Sequence, residues 1–227
     1  MTLAANLPTN LDSTSKTRIY RLVRREIIMG HRRPGERLDV EELAQRFDTS
    51  ITPVRDALQM LSQEGLVTIR PRSGYFVARM TLKQLRDMLD LRKILELTAI
   101  ERAALRITPD QIEQLRKVHA GYTGDDDESY DRYTDENRRF HYLVGLASGN
   151  LELADAIGRL HDRLARFMVL RHAGKSQEIT HARIVDALEA HDAEAARRAL
   201  LDDIDTSADA ILDGVLEDAA VTWHVDA

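Results

Sequence analysis

Residues 39–78 constrain this chain more than any other stretch. Asp39 can cap a helix whose apolar side is Val40, Leu43, Ala44 and Phe47, and Glu42 stands three residues later, an acidic variant of the capping-box spacing. Asp48-Thr49-Ser50 breaks that helix. Thr52-Pro53 then opens another, with Thr52 as N-cap and Pro53 at the first helical position, where a missing N–H costs nothing. Val54, Ala57, Leu58 and Leu61 give the second helix one apolar stripe, and Gly65 ends it. Two β-rich runs follow, Leu66–Arg70 and Tyr75–Ala78, joined by Pro71-Arg72-Ser73-Gly74. Helix, tight turn, helix and hairpin make a winged helix-turn-helix, a layout that lays its second helix in a DNA major groove.

The charges fit that use. The second helix carries Arg55, Asp56, Gln59 and Gln63 opposite its stripe, and Arg and Gln can read base edges bidentately. The hairpin tip adds Arg70 and Arg72, suited to phosphates or a narrow groove, and Gly74, which permits close backbone approach. The net charge of −6 first argues against nucleic acid. The two parts of the chain differ, however. Residues 1–79 hold 13 Lys+Arg against 9 Asp+Glu, net +4, and the remainder holds 19 against 29, net −10. A basic module on an acidic body points to DNA at one end and a different task at the other. The plain alternative is a helical hairpin with solvated charges.

The rest reads as helix. Residues 1–15 are polar and poorly patterned, a loose tail. Ser13-Thr14-Ser15 can cap a helix over about 16–29, and His31–Gly35 is a loop. Beyond Ala78, helices are expected over Leu82 to about Arg106, from Thr108-Pro109 to about Gly121, and from about Tyr130 to Ser148 after an acidic loop, Tyr122–Ser129. Others cover about 151–170, 177–190 and 193–218. The expected fold is mainly α: a winged helix-turn-helix of three helices and a β-hairpin over 16–79, then an all-α helical bundle over 80–227. No apolar run reaches the roughly 18 residues a membrane span needs, no signal peptide is evident, and the absence of cysteine rules out disulfides and thiolate metal sites. A cytoplasmic protein with no membrane partner is expected.

One constellation in the bundle suits a metal. Asn137 and His141, four residues apart, share a helix face. His181 lies ten residues before His191, and Asp203 eleven after Asp192, so a helical hairpin turning at 191–192 brings His181 and Asp203 together. Two imidazoles, a carboxylate and an amide oxygen suit a divalent ion of Zn, Ni or Mn type. A helical His is also often a hydrogen-bonded core residue, and spacing alone leaves both readings open.

The order Pro34-Gly35, Leu38, Thr52-Pro53-Val54-Arg55-Asp56-Ala57-Leu58 and Gly74-Tyr75-Phe76-Val77 resembles the GntR superfamily of bacterial transcription regulators. Leu91-Arg92-Lys93-Ile94-Leu95-Glu96, Asn137-Arg138-Arg139-Phe140-His141 with Gly149-Asn150, and His181 through Asp192-Ala193-Glu194-Ala195-Ala196 resemble the FCD effector domain of its FadR-like branch. The resemblance covers about residues 16–215. It implies DNA contacts from Ser50, Thr52, Arg55, Arg72 and Gly74, a metal at Asn137, His141, His181 and Asp203, and an organic-acid effector paired with Arg92. Three departures stand out. Ile51 replaces the Arg usual between the Ser and Thr that open the recognition helix. Asn137 stands for an Asp, and Asp203 for a His, which still leaves four oxygen or nitrogen donors. Arg92 has a second reading, an ion pair with Glu96 at the four-residue spacing, and Glu96 itself reads as structural.

These readings converge on a ligand-responsive, homodimeric DNA-binding regulator, a repressor. It would act on a palindromic double-stranded operator and take a small carboxylate in its C-terminal dimerisation and effector domain. The alternative is a metal-dependent helical-bundle enzyme fused to a DNA-binding module. Against it stand the lack of an obvious nucleophile, of a glycine-rich phosphate loop and of a clear second acid–base pair.

Overall fold

A computed structural model describes residues 15–118, 127–170 and 174–219. In order these form α1 (Ser15–Ile28), β1 (Arg37–Leu38), α2 (Val40–Arg46), α3 (Ile51–Gln63), β2 (Val67–Arg70), β3 (Gly74–Val77), α4 (Leu82–Ala104), α5 (Pro109–Arg116), α6 (Asp127–Ala147), α7 (Leu151–Leu170), α8 (Gly174–Glu189) and α9 (Ala193–Ala219). The protein is mainly helical, a winged helix-turn-helix followed by a helical bundle.

The first core gathers Ile19, Val23 and Ile27 of α1, Leu43 of α2, and Val54, Ala57, Leu58 and Leu61 of α3, closed by Val67 and Val77. Each Val, Leu and Ile among them contributes on the order of 1.5–3 kcal/mol by leaving water. Asp39 caps α2 by accepting from the backbone N–H of Glu41 and Glu42 at 3.0 and 3.1 Å. The second helix starts earlier than the sequence suggests. Its N-cap is Ser50, with no side-chain cap bond, and Ile51 is already helical. Thr52 is therefore inside the helix, not its cap. Pro53 falls at the third helical position, still within the first turn, whose N–H groups lack intrahelical acceptors anyway. The wing is also larger than a hairpin. β2 pairs with β3 in the register Val67↔Val77 to Arg70↔Gly74, and β1 adds a third antiparallel strand through Arg37↔Phe76 and Leu38↔Tyr75.

In the bundle, Thr81 and Thr108 close capping boxes with Gln84 and Gln111. α5 stops at Arg116 rather than running to about residue 121. The chain turns at Lys117 and places Val118 in the core. α6 begins at Asp127, so the last three residues of the expected acidic loop are helical, and 122–126 lie outside the described residues. So do residues 1–14, most of the expected tail. α8 begins at Gly174, three residues before the expected start.

Two apolar clusters stack along the bundle. One is built on Ile100, Ala103, Phe140, Val144, Ile184, Leu200 and Ile204. The other is built on Leu85, Met88, Leu89, Leu160, Leu164, Phe167 and Ile211. Along α4 the order is Leu85–Leu89, then Arg92 and Glu96, then Ile100–Ala104. Along α9 it is Leu200–Ile204, with Asp203 and Ser207, then Ile211–Val215. The two apolar clusters thus flank a buried polar layer.

Candidate functional site

That layer is assembled from five helices. α4 gives Arg92 and Glu96, α6 gives Asn137 and His141, and α9 gives Asp203 and Ser207, each a pair four residues apart on one helical face. α7 adds His161, and α8 adds Thr180 and His181. Except for the half-buried Thr180, all are at most 2% exposed. His181 and Asp203 face each other as the hairpin symmetry requires, Nε2 to Oδ1 at 3.6 Å.

Arg92 is the hub. Its Nε donates to Glu96 Oε1 at 2.9 Å, Nη1 to Ser207 Oγ at 2.7 Å, and Nη2 to Asp203 Oδ2 at 3.3 Å. Nη2 also lies 3.3 Å from His141 Nε2. The Glu96 ion pair is therefore formed, but as one arm of a wider network. Glu96, expected to be merely structural, meets His161 Nε2 at 2.6 Å and His141 Nδ1 at 2.8 Å. Asn137 Nδ2 lies 3.3 Å from His161 Nδ1. These contacts assign the proton of His141 to Nδ1 and that of His161 to Nε2, leaving the His141 Nε2 lone pair aimed at Arg92 and Asp203.

Burial drives the titration of the cluster. It pushes the His141 imidazole down to about 3, against the pull of Glu96, and lowers His161 for the same reason. Burial opposes ionisation of Glu96, yet Arg92, His141 and His161 outweigh it and hold the carboxyl well below its ordinary value. Burial likewise opposes ionisation of Asp203. His181, Arg92 and His141 together reverse it. His141 and His161 are neutral near pH 7, and two carboxylates face one guanidinium.

Two groups of donors could hold a cation: Glu96, His141 and His161, or His141, His181 and Asp203. In the first, His161 Nε2 is already hydrogen-bonded to Glu96 Oε1 at 2.6 Å, and His141 Nδ1 lies 2.8 Å from Glu96 Oε2. In the second, Asp203 Oδ1 stands 3.6 Å from His181 Nε2 and Asp203 Oδ2 stands 3.8 Å from His141 Nε2, each beyond hydrogen-bond distance. These spacings are near the roughly 3.3 Å between ligands of a tetrahedral ion with bonds of about 2.0–2.1 Å. Glu96 would then back His141 through Nδ1, a carboxylate behind a ligating imidazole. The donor set fits a divalent ion. The four expected ligands are not equally placed, since Asn137 directs its amide nitrogen at His161. Sequence reasoning passed over His161, although a histidine in line with Ile157, Leu160 and Leu164 on the apolar side of α7 marks a buried polar position.

At the other end, Ser50, Thr52 and Arg55 are exposed along the first turns of α3, while Val54, Ala57, Leu58 and Leu61 are wholly buried behind them. Arg72 is exposed at the tip of the wing, with φ +62°, and Gly74 follows at φ +101°, a left-handed pair that makes the sharp turn. Arg70 stacks over the Phe76 ring at 4.5 Å. No helix among the described residues is long and apolar enough to cross a membrane.

The chain matches the family model described as bacterial regulatory proteins, gntR family, over residues 15–77, and the FCD domain over residues 87–206. It is 31% identical over 188 residues to the HTH-type transcriptional repressor RspR of Escherichia coli (strain K12), covering 80% of this chain and 82% of that relative. It is 35% identical over 139 residues to the Nta operon transcriptional regulator of Aminobacter aminovorans, covering 59% and 64%. Among solved structures, E. coli McbR/YncC superposes with a TM-score of 0.69 at 22% identity, over 89% of this chain and 99% of that one, a likeness of fold.

Proposed function

The chain belongs to the gntR family of bacterial regulatory proteins and carries an FCD domain, and we propose that it is a cytoplasmic, homodimeric repressor whose bundle takes a small carboxylate together with a divalent ion. The family is one of regulators, not enzymes. Its relative RspR is named a repressor. Residues 16–79 form the DNA-binding unit, with Ser50, Thr52, Arg55, Arg72 and Gly74 on the operator. Residues 80–227 form the effector-binding and dimerisation unit. A palindromic operator follows from two-fold symmetry.

The observation that carries the effector reading is the sealed charged layer around Arg92, at 0% exposure. Buried ion pairs are poor sources of stability, since desolvation offsets their attraction. A bundle built only for stability would have joined its two apolar clusters. Glu96 and Asp203 already place two carboxylates beside Arg92, which opposes an entering anion. A divalent ion, when bound, supplies the missing positive charge and open positions for a carboxylate. His141 Nε2, His181 and Asp203 would hold it, with Asn137 beside them. Arg92 would turn Nη2 from Asp203 and His141 to the incoming carboxylate, which its guanidinium can grip bidentately.

The test combines operator selection from a random duplex library with calorimetric titration of lactate, malonate and citrate into manganese-, nickel- or zinc-loaded and chelator-stripped protein. A palindromic site, and acid binding that needs the metal and changes operator affinity, are expected. Failure to select any operator, or equal acid affinity with and without metal, would overturn the reading.

A further inference from the structure

Three consecutive residues of α7 span the distance between the polar layer and the recognition helix. His161 points into the layer and meets Glu96 at 2.6 Å. Asp162, only 7% exposed, accepts from Arg138 Nε at 2.6 Å and lies 3.8 Å from Arg24 Nη2 of α1. Arg163 packs against Gly65, just past the end of α3, so closely that a Cβ there would sit 3.2 Å from its Cγ.

The neighbouring helix repeats the arrangement. Asn137 of α6 contacts His161 on the inside, and Arg138, the next residue, binds Asp162 on the outside. Inner and outer rungs therefore share the same two backbones. A shift of the α7 backbone at His161 would carry Asp162 with it.

The outer rung ends on Arg24, a cation only 6% exposed. Its Nη1 binds Asp135 Oδ1 at 3.0 Å, and its Nε faces Glu64 Oε2 at 3.6 Å. Glu64 is the C-cap residue of α3, and Tyr20 donates its hydroxyl to Glu64 Oε1 at 2.5 Å. Arg24 thus holds one carboxylate at the end of the recognition helix and two on the bundle. These groups line a cleft of about 500 Å³ between the two halves of the molecule.

We propose that α7 couples the effector layer to DNA through His161, Asp162 and Arg24, with Arg24 as the residue that positions the C-terminal end of α3. The inference rests on the regulator reading and names how that site would act at a distance.

The experiment is a double-mutant cycle on Arg24→Gln and His161→Gln. It is read by hydrogen exchange of residues 60–66 in the DNA-free protein and by affinity for a selected operator. His161→Gln is expected to change exchange at 60–66 by about two- to tenfold in the parent background and to have no effect in the Arg24→Gln background. Operator affinity should follow the same pattern. Residues 207–215 of α9 serve as the control. Equal effects of His161→Gln in both backgrounds, no change at 60–66, or a parallel rise at 207–215 that signals loosening of the whole bundle would each overturn the proposal. Should Arg24→Gln fail to fold, Asp162→Asn severs the same step and must give the same non-additivity. If no operator is ever selected, the regulator reading falls, while the exchange arm, which uses no DNA, still decides the coupling.

Discussion

Arg92 Nη2 lies 3.3 Å from His141 Nε2, on the lone pair that a metal ion would use. A guanidinium and a bound metal would therefore be rivals for one acceptor, although in the proposed site both would serve the same anion. Arg92→Ala is expected to keep metal uptake and to bind the ion more tightly than the parent. It should lose the response to organic acids. In chelator it should be destabilised by about 3–5 kcal/mol, because Glu96 and Asp203 are left buried without their cation, and metal should restore part of that loss. Denaturation midpoints with and without manganese, beside acid titrations, give the comparison. An intact acid response in Arg92→Ala would remove Arg92 from the effector site.

The two candidate triads share His141 but divide on His161 and His181. His141→Ala and His181→Ala are expected to abolish metal uptake, whereas His161→Ala should retain it. Elemental analysis of the purified variants distinguishes them. Loss of metal in His161→Ala with retention in His181→Ala would move the ion to the Glu96 side.

At the DNA end, Arg55→Ala is expected to cost about 1–3 kcal/mol of specific operator affinity, the magnitude of one good base contact. Arg72→Ala should weaken all sequences alike and flatten the salt slope by about one. Ile51, exposed at the first turn of α3, invites the opposite change. Ile51→Arg should steepen the slope by a similar amount. Binding isotherms from 50 to 200 mM salt report all three, and parent-like slopes in Arg72→Ala and Ile51→Arg would take those positions off the phosphate backbone.

The winged module was legible because its signals are local. Asp39, Pro53, the Val54–Leu61 stripe and Gly65 each act within a turn or two. β1 was not legible, since two residues cannot show an alternating pattern, and Leu38 is buried only through its pairing with Tyr75. The start of α3 slipped by two residues because Pro is tolerated throughout a first turn, so Pro53 does not mark one position. Within the bundle, the meeting of His181 and Asp203 followed from counting outward from a helical hairpin. The contact of His161 with Glu96 spans 65 residues of sequence and two helices that are not chain neighbours, and no local spacing encodes it. For Arg92, sequence offered either Glu96 or a ligand. The structure adds Asp203, 111 residues away, which no helix periodicity could supply.

Acid should unfold the metal-free protein through its buried imidazoles before its carboxylates. The folded His141 pKa is lowered to about 3 from an ordinary 6.5, and His161 shifts the same way. The unfolded chain therefore takes up protons that the folded one refuses. For His141 stability is full above about pH 6.5 and falls as pH drops toward 3, by about 1.4 kcal/mol per unit, and His161 acts in the same direction. Glu96 and Asp203, whose values are lowered, add their loss only below the ordinary carboxylate range. Urea midpoints in chelator at pH 7.5, 6 and 5 should decline for the parent and decline less for His141→Gln. Identical slopes would mean that His141 is not held neutral in the folded state.

The packing of α6 on α7 sets the geometry of both rungs, and two glycines separate close approach from spare room. A Cβ on Gly145 would lie 2.8 Å from the Ala154 Cα, a backbone atom that cannot yield without moving a helix. A Cβ on Gly158 would meet side-chain atoms rather than backbone, Arg138 Nη2 and Tyr142 Cδ2, both at 3.3 Å, which must give by a few tenths of an ångström. Alanine gains about 1 kcal/mol of helix propensity over glycine at either position. At Gly158 that gain should survive, leaving stability equal or slightly raised. At Gly145 overpacking of about 1–3 kcal/mol should exceed it. Gly145→Ala should therefore lower the denaturation midpoint. It should also weaken metal affinity, because spreading α6 from α7 draws Asn137 from His161 and tilts His141 out of line with His181 and Asp203. Denaturant titrations and metal calorimetry on both variants settle the sign, and a Gly145→Ala protein as stable as Gly158→Ala with unchanged metal affinity would show that the α6–α7 spacing is not what holds the layer together.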